Sequence, residues 1–90
     1  MVRQAFKNMN IRIVYCVPCG HLPRALELAE GLLSKYGQQL NKNFSVTLDT
    51  SDGGRFEVHI NGELVFSRFE EKRFPSLDEI VAEIEKRLKG

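Results

Sequence analysis

The dipeptide Asn61-Gly62 constrains this chain more tightly than any other pair of its residues. Asparagine and glycine tolerate the positive φ angles that both central positions of a two-residue type I′ turn require. Their flanks, Arg55 to Ile60 and Glu63 to Ser67, are rich in β-branched and aromatic residues. Such flanks around such a turn predict a β-hairpin. A two-residue turn also fixes the pairing, because slipping by one residue sends every side chain to the other face. The predicted partners are Ile60 with Glu63, His59 with Leu64, Val58 with Val65, Glu57 with Phe66 and Phe56 with Ser67. Phe56, Val58, Ile60 and Val65 then share a core-facing side, leaving Glu57, His59, Leu64 and Phe66 on the opposite one.

The remainder supplies the partners this hairpin needs. Ile11 to Tyr15 reads as a buried strand. Pro23 suits a first helical turn, and Leu22, Ala25, Leu26, Ala29, Leu32, Leu33 and Tyr36 recur at helical spacing, predicting an amphipathic helix that ends near Gly37. Phe44 to Leu48 alternates as a strand does, and Ser51-Asp52-Gly53-Gly54 breaks it. Ser76 followed by Glu79 has the form of a capping box, opening a last helix whose apolar stripe is Leu77, Ile80, Val81, Ile84 and Leu88. The order is β-α-β-β-β-α. A strand–helix–strand crossover is right-handed and gives a parallel pair, to which the hairpin adds antiparallel strands. The expected class is α/β, a two-layer arrangement of a mixed four-stranded sheet with both helices on one face, the minimal thioredoxin-like fold. Ninety residues make one domain. Residues 1–9 are expected to be a flexible N-terminal tail and 10–90 the domain.

Thirteen basic against twelve acidic residues leave a net charge of +1, so no field steers the chain towards nucleic acid or an anionic membrane. No apolar run is long enough to span a bilayer, the N-terminal stretch lacks a secretory core, and a cytoplasmic location is expected.

Chemistry concentrates at Cys16-Val17-Pro18-Cys19, between the first strand and the first helix. A disulfide between such near neighbours closes too small a loop to stabilise the fold much, so reactivity explains the pair better than stapling. A helix start stabilises a thiolate, and two intervening residues let one sulfur attack while the other resolves the mixed disulfide. A zinc site would need two more ligands, and the histidines are His21 and His59; no metal is expected. Buried apolar filling is the other reading of the cysteines. His21 and Arg24 are candidate modulators of a thiolate, with the plainer reading of His21 being a solvated polar group of the loop or first turn. The mixed-sign run Arg68, Glu70, Glu71, Lys72 and Arg73 reads as a solvated connection.

Tyr15-Cys16-x-x-Cys19-Gly20, Arg24-Ala25, Gly54-x-Phe56-Glu57-Val58, Asn61-Gly62-Glu63-Leu64-Val65-Phe66-Ser67 and Phe74-Pro75, in that order, resemble the selenoprotein W or Rdx-type family. The resemblance runs from about Asn10 into the last helix. It implies a thioredoxin-like fold, a redox-active C-x-x-C or its selenocysteine counterpart, and an antioxidant or thiol-regulatory role. In selenocysteine-bearing members the selenium stands at the second position, which maps onto Cys19. Thioredoxin order would instead make Cys16 the attacker, and the sequence leaves both assignments open. Thioredoxins also keep a proline before the strand facing the redox pair, where this chain has Asp52-Gly53-Gly54.

The expected function is thiol–disulfide exchange through Cys16 and Cys19 in cellular redox homeostasis or the regulation of protein thiols. Protein thiols or glutathione are the expected partners, and no bound cofactor is expected. The alternative is a binding module whose surface responds to the same disulfide without turnover. The sheet face without helices is expected to carry a partner or homodimer contact built on Leu64 and Phe66 and bordered by His59.

Overall fold

The computed structural model describes residues 8–89 of the chain. Its elements are β1 (Met9–Cys16), α1 (Leu22–Leu40), a 3₁₀ turn (Asn41–Asn43), β2 (Phe44–Ser51), β3 (Phe56–Ile60), β4 (Glu63–Ser67), α2 (Arg68–Glu71) and α3 (Leu77–Lys89). The strands form one sheet in the order β2-β1-β3-β4. β1 runs parallel to β2 and antiparallel to β3, and β3 and β4 form the hairpin. This is the mixed four-stranded α+β sheet expected. Most of the predicted tail, residues 1–7, lies outside the described residues, but Met9 belongs to the domain: it opens β1 and is fully buried.

Alternation along β1 and β3 sorts the sheet into two faces. Met9, Ile11, Ile13 and Tyr15 of β1, with Phe56, Val58 and Ile60 of β3, join one core with residues from α1 and α3. Both helices therefore cover that face. They approach each other closely where Gly31 of α1 meets Leu77 of α3; a Cβ on residue 31 would stand 2.9 Å from a Leu77 methyl carbon. α1 buries Ala25, Leu28, Ala29, Leu32 and Tyr36. Leu28 replaces the expected Leu22, Leu26 and Leu33, which are exposed, because the stripe that meets the sheet is rotated towards Leu28. Gly37 does not stop the helix, which runs on to Leu40 and ends at Asn41 with φ 49°.

Asn61 and Gly62 have φ of 52° and 86°, as the turn demands. Asn61 also fastens the hairpin to β1. Its backbone N–H donates to the Asn10 carbonyl at 2.8 Å, and its side-chain Oδ1 accepts from the Asn10 N–H at 2.8 Å. Nearest the turn the pairing is as predicted, with Ile60 opposite Glu63 and His59 opposite Leu64. An irregularity then places Phe66, not Val65, opposite Val58, and Ser67 opposite Glu57. One extra residue on β4 turns Phe66 to the core side, where it is 4% exposed. Burial of that ring outweighs the regular ladder that the turn alone would continue.

At the start of α3 the Glu79 N–H donates to Ser76 Oγ at 3.2 Å, and Glu79 Oε1 accepts the Ser76 N–H at 2.7 Å. The capping box is thus formed. Arg73 holds the same carboxylate through two hydrogen bonds of 2.6 and 2.9 Å. The mixed-sign run before it is a short helical turn, not a purely solvated connection. Arg68 donates to the Gly54 carbonyl at 3.2 Å and lies 5.2 Å from the centroid of the Phe74 ring.

Candidate functional site

The two cysteines lie where β1 hands over to α1. Cys16 is the last residue of β1, in register with Ser51 of the neighbouring parallel strand. The Val17 N–H continues that ladder to the Ser51 carbonyl at 3.4 Å. The chain then turns on itself: the Gly20 N–H donates to the Val17 carbonyl at 3.0 Å and the His21 N–H to the Cys16 carbonyl at 3.2 Å. Gly20 has φ 80°, a conformation a side chain would strain. The loop brings the Cα atoms of Cys16 and Cys19 to 5.4 Å, and their sulfurs are joined as a disulfide.

The two cysteines differ in access. Cys16 has no exposed surface, whereas Val17, Pro18, Cys19 and Gly20 are exposed. A thiol arriving from solvent therefore meets Cys19 first. α1 begins three residues later with no acidic residue in its first turn and no side-chain cap on its N-terminal N–H groups. Its positive pole is left to favour negative charge near Cys19.

His21 is not a solvated loop residue. Its side chain is buried, 4.9 Å from the Phe74 ring and 6.3 Å from the Phe56 ring between centroids, edge-on in both cases. Nδ1 has no hydrogen-bond partner among the described residues. His21 thus joins the cysteine loop to an aromatic wall: its backbone N–H holds the Cys16 carbonyl while its ring packs against Phe56 and Phe74. Arg24 lies over the Phe74 ring, 4.5 Å from its centroid.

Phe74 was legible only as part of the Phe74-Pro75 pair, and nothing in the sequence assigned it to a site. In the structure it forms, with Leu28, Phe56, Pro75 and Leu77, the apolar wall of a cleft of about 250 Å³, with Arg24 and Glu27 also lining it. The cleft adjoins the cysteine loop through His21, whose ring packs against Phe56 and Phe74, two residues of the cleft wall.

The face of the sheet without helices differs from the apolar patch expected there. Phe66 has left it for the core. Leu64 remains, 45% exposed, opposite His59. His59 Nε2 lies 3.3 Å from Glu57 Oε1, and Arg12 pairs with Asp49. This face is mainly polar, and the three residues expected to act together there reduce to Leu64 beside a His59–Glu57 pair. No three potential metal ligands cluster among the described residues, and no described helix is long and apolar enough to cross a membrane.

Residues 10–86 match the Rdx family. The migration and invasion enhancer 1 of mouse is 33% identical over 88 residues, covering 97% of this chain and 71% of the mouse protein. Its bovine counterpart is 36% identical over 84 residues, covering 92% of this chain and 68% of that protein. Among solved structures, a selenoprotein W-related protein from Vibrio cholerae superposes with a TM-score of 0.81 at 27% identity, over 91% of this chain and 99% of that one. A protein from Bordetella parapertussis gives a TM-score of 0.79 at 31% identity, over 89% and 98% of the two chains.

Proposed function

This chain belongs to the Rdx family, and on that premise we propose that it is a thiol–disulfide exchange protein in which Cys19 attacks and Cys16 resolves. The observation that carries this reading is the difference in burial between the two bonded cysteines, Cys19 exposed and Cys16 enclosed. In the reduced protein the Cys19 thiolate attacks one sulfur of a target disulfide. A mixed disulfide forms and the other target sulfur leaves as a thiolate. Cys16, losing its proton, then attacks Cys19 Sγ, closing the intramolecular disulfide and releasing the second target thiolate. The target gains two electrons and the protein loses two. A low-molecular-weight thiol such as glutathione, or a protein dithiol, returns the pair to the reduced state. The cytoplasm, where such reductants are kept, is the compartment that suits this cycle.

The order of the residues supports the assignment. The resolving thiol stands at the end of β1, held in register with Ser51 of β2. The attacking thiol stands in the turn that follows, near the positive pole of α1. The test is to incubate reduced Cys16→Ser and Cys19→Ser proteins with a cell extract and analyse trapped adducts. Mixed disulfides are expected on Cys19 of the first variant; adducts confined to Cys16 of the second reverse the assignment. Turnover of bis(2-hydroxyethyl) disulfide with glutathione separates exchange from the binding-module alternative, which predicts one redox event per chain and altered partner binding.

A further inference from the structure

The cleft beside the redox loop presents two charged groups that the fold leaves unemployed. The other described arginines each have a polar partner: Arg12 pairs with Asp49, Arg55 with Glu57, Arg73 and Arg87 with glutamates, and Arg68 holds the Gly54 carbonyl. Arg24 is held over Phe74 by its ring contact, and among the described residues neither Arg24 nor Glu27 takes part in a hydrogen bond or an ion pair. Both are exposed and both line the cleft. Arg24 belongs to the first turn after the cysteine loop; Glu27 is three residues on, about 4.5 Å further along the helix axis. The cleft therefore has a polarity, positive nearer Cys19 and negative farther away, over an apolar wall. At about 250 Å³ it is smaller than the ~300–1,000 Å³ pockets that enclose drug-sized ligands, and suits one side chain of a longer partner.

Resting on the exchange reading above, we infer that this cleft selects the protein disulfides that Cys19 attacks. Its occupant is an extended segment of the target protein running away from the target cysteine. An acidic and a basic side chain two residues apart, which alternation puts on one side of the segment, meet Arg24 and Glu27 of α1, the acidic one nearer the cysteine, and the apolar residue between them faces the other way, towards Phe56, Phe74 and Leu77. Extended chain advances about 3.3 Å per residue, so one short segment spans both charges while its cysteine remains at the loop. Ring contact holds the Arg24 guanidinium in place before the partner arrives, which reduces the ordering that recognition requires.

The test separates recognition from redox chemistry. Two labelled peptides with serine in place of the target cysteine, Ser-Glu-Leu-Lys and Ser-Lys-Leu-Glu, are titrated into the oxidised protein and followed by chemical-shift changes of the Phe74 ring and the Arg24 side chain. The first peptide is expected to bind about fivefold more tightly, as for a solvent-exposed charge pair, and the preference should shrink with added salt. In the double reversal Arg24→Glu/Glu27→Arg, checked for an unchanged native spectrum outside the cleft, the preference should invert. Equal binding of the two peptides, binding of neither, or a preference that survives the reversal overturns the inference. Exchange of the wild-type protein with bis(2-hydroxyethyl) disulfide reports on the cysteines separately, so a failure of the redox reading is seen independently of the peptides.

Discussion

Replacing Phe66 by alanine tests the irregular pairing of β3 and β4 directly. The ring is 4% exposed, lies in the main core, and has the Arg73 guanidinium 5.2 Å from its centroid. Loss of a buried phenylalanine side chain costs about 3–5 kcal/mol, the sum of its transfer free energy and the cavity left behind. A small domain has ~5–15 kcal/mol in total, so the variant retains only part of its stability. Each kcal/mol lowers the midpoint of a domain this size by about 4–8 °C, and a fall of more than about 10 °C is expected. Leu64→Ala removes a side chain that is 45% exposed on the polar face, and should stay within about 0.5 kcal/mol of wild type. Regular pairing from the Asn61-Gly62 turn would place both side chains on the open face and make both substitutions mild. Urea unfolding followed by circular dichroism, with the cysteine pair held oxidised, measures each effect at unchanged m-value. Should Phe66→Ala prove too unstable to study, Phe66→Leu gives a smaller loss of the same sign. A cost below about 1 kcal/mol for Phe66→Ala, or equal costs for the two alanine variants, refutes the bulge and the core assignment together.

Burial predicts the order of thiol reactivity. At neutral pH and limiting iodoacetamide, Cys16→Ser, which keeps the exposed Cys19, should alkylate faster than Cys19→Ser, and the opposite order would return the attacking role to Cys16. A second expectation concerns acid. The Arg73 guanidinium, opposed by partial burial and helped by the Ser76 backbone and hydroxyl, lowers Glu79 from 4.5 to about 2. A carboxylate whose folded pKa is depressed contributes stability that is complete above its unfolded value and is lost as pH falls through the folded one. The thermal midpoint should therefore fall between about pH 5 and pH 2, and Glu79→Gln should flatten that part of the profile; an unchanged slope would show that the Arg73–Glu79 contact contributes nothing in solution.

Local chemistry made several elements legible in advance. Asn61-Gly62 specified its turn, Ser76 and Glu79 their cap, and the apolar run before Cys16 its strand, because in each case neighbouring residues alone decide the conformation. The place of the two cysteines was equally readable, at a strand-to-helix junction. What escaped depended on residues far apart. Nothing between Glu63 and Ser67 signals an extra residue, since the shift is driven by a core into which Phe66 fits. The rotation of α1 that buries Leu28 instead of Leu26 and Leu33 is set by the sheet beneath it. His21 gave no sign of burial because its neighbours, Phe56 and Phe74, come from a strand and a loop more than thirty residues away. The cleft was invisible for the same reason: its wall is assembled from α1, β3 and the entry to α3.

Asn61 is also where this protein should age. In an Asn-Gly sequence the glycine nitrogen, unhindered by a neighbouring side chain, can close on the asparagine amide, expel ammonia and leave a succinimide that hydrolyses to aspartate or isoaspartate. Here Oδ1 accepts the Asn10 N–H, and Nδ2 reaches the Asn8 carbonyl at 3.3 Å. The side chain must release these bonds before it can be attacked, so the first turn of damage waits on local opening at the beginning of β1. Aspartate would keep the acceptor and lose the donor; isoaspartate would lengthen the main chain within the turn itself. Either lesion arises at the end of β1 opposite Cys16, so an aged molecule can lose the anchor of its hairpin while its sulfur chemistry is still intact.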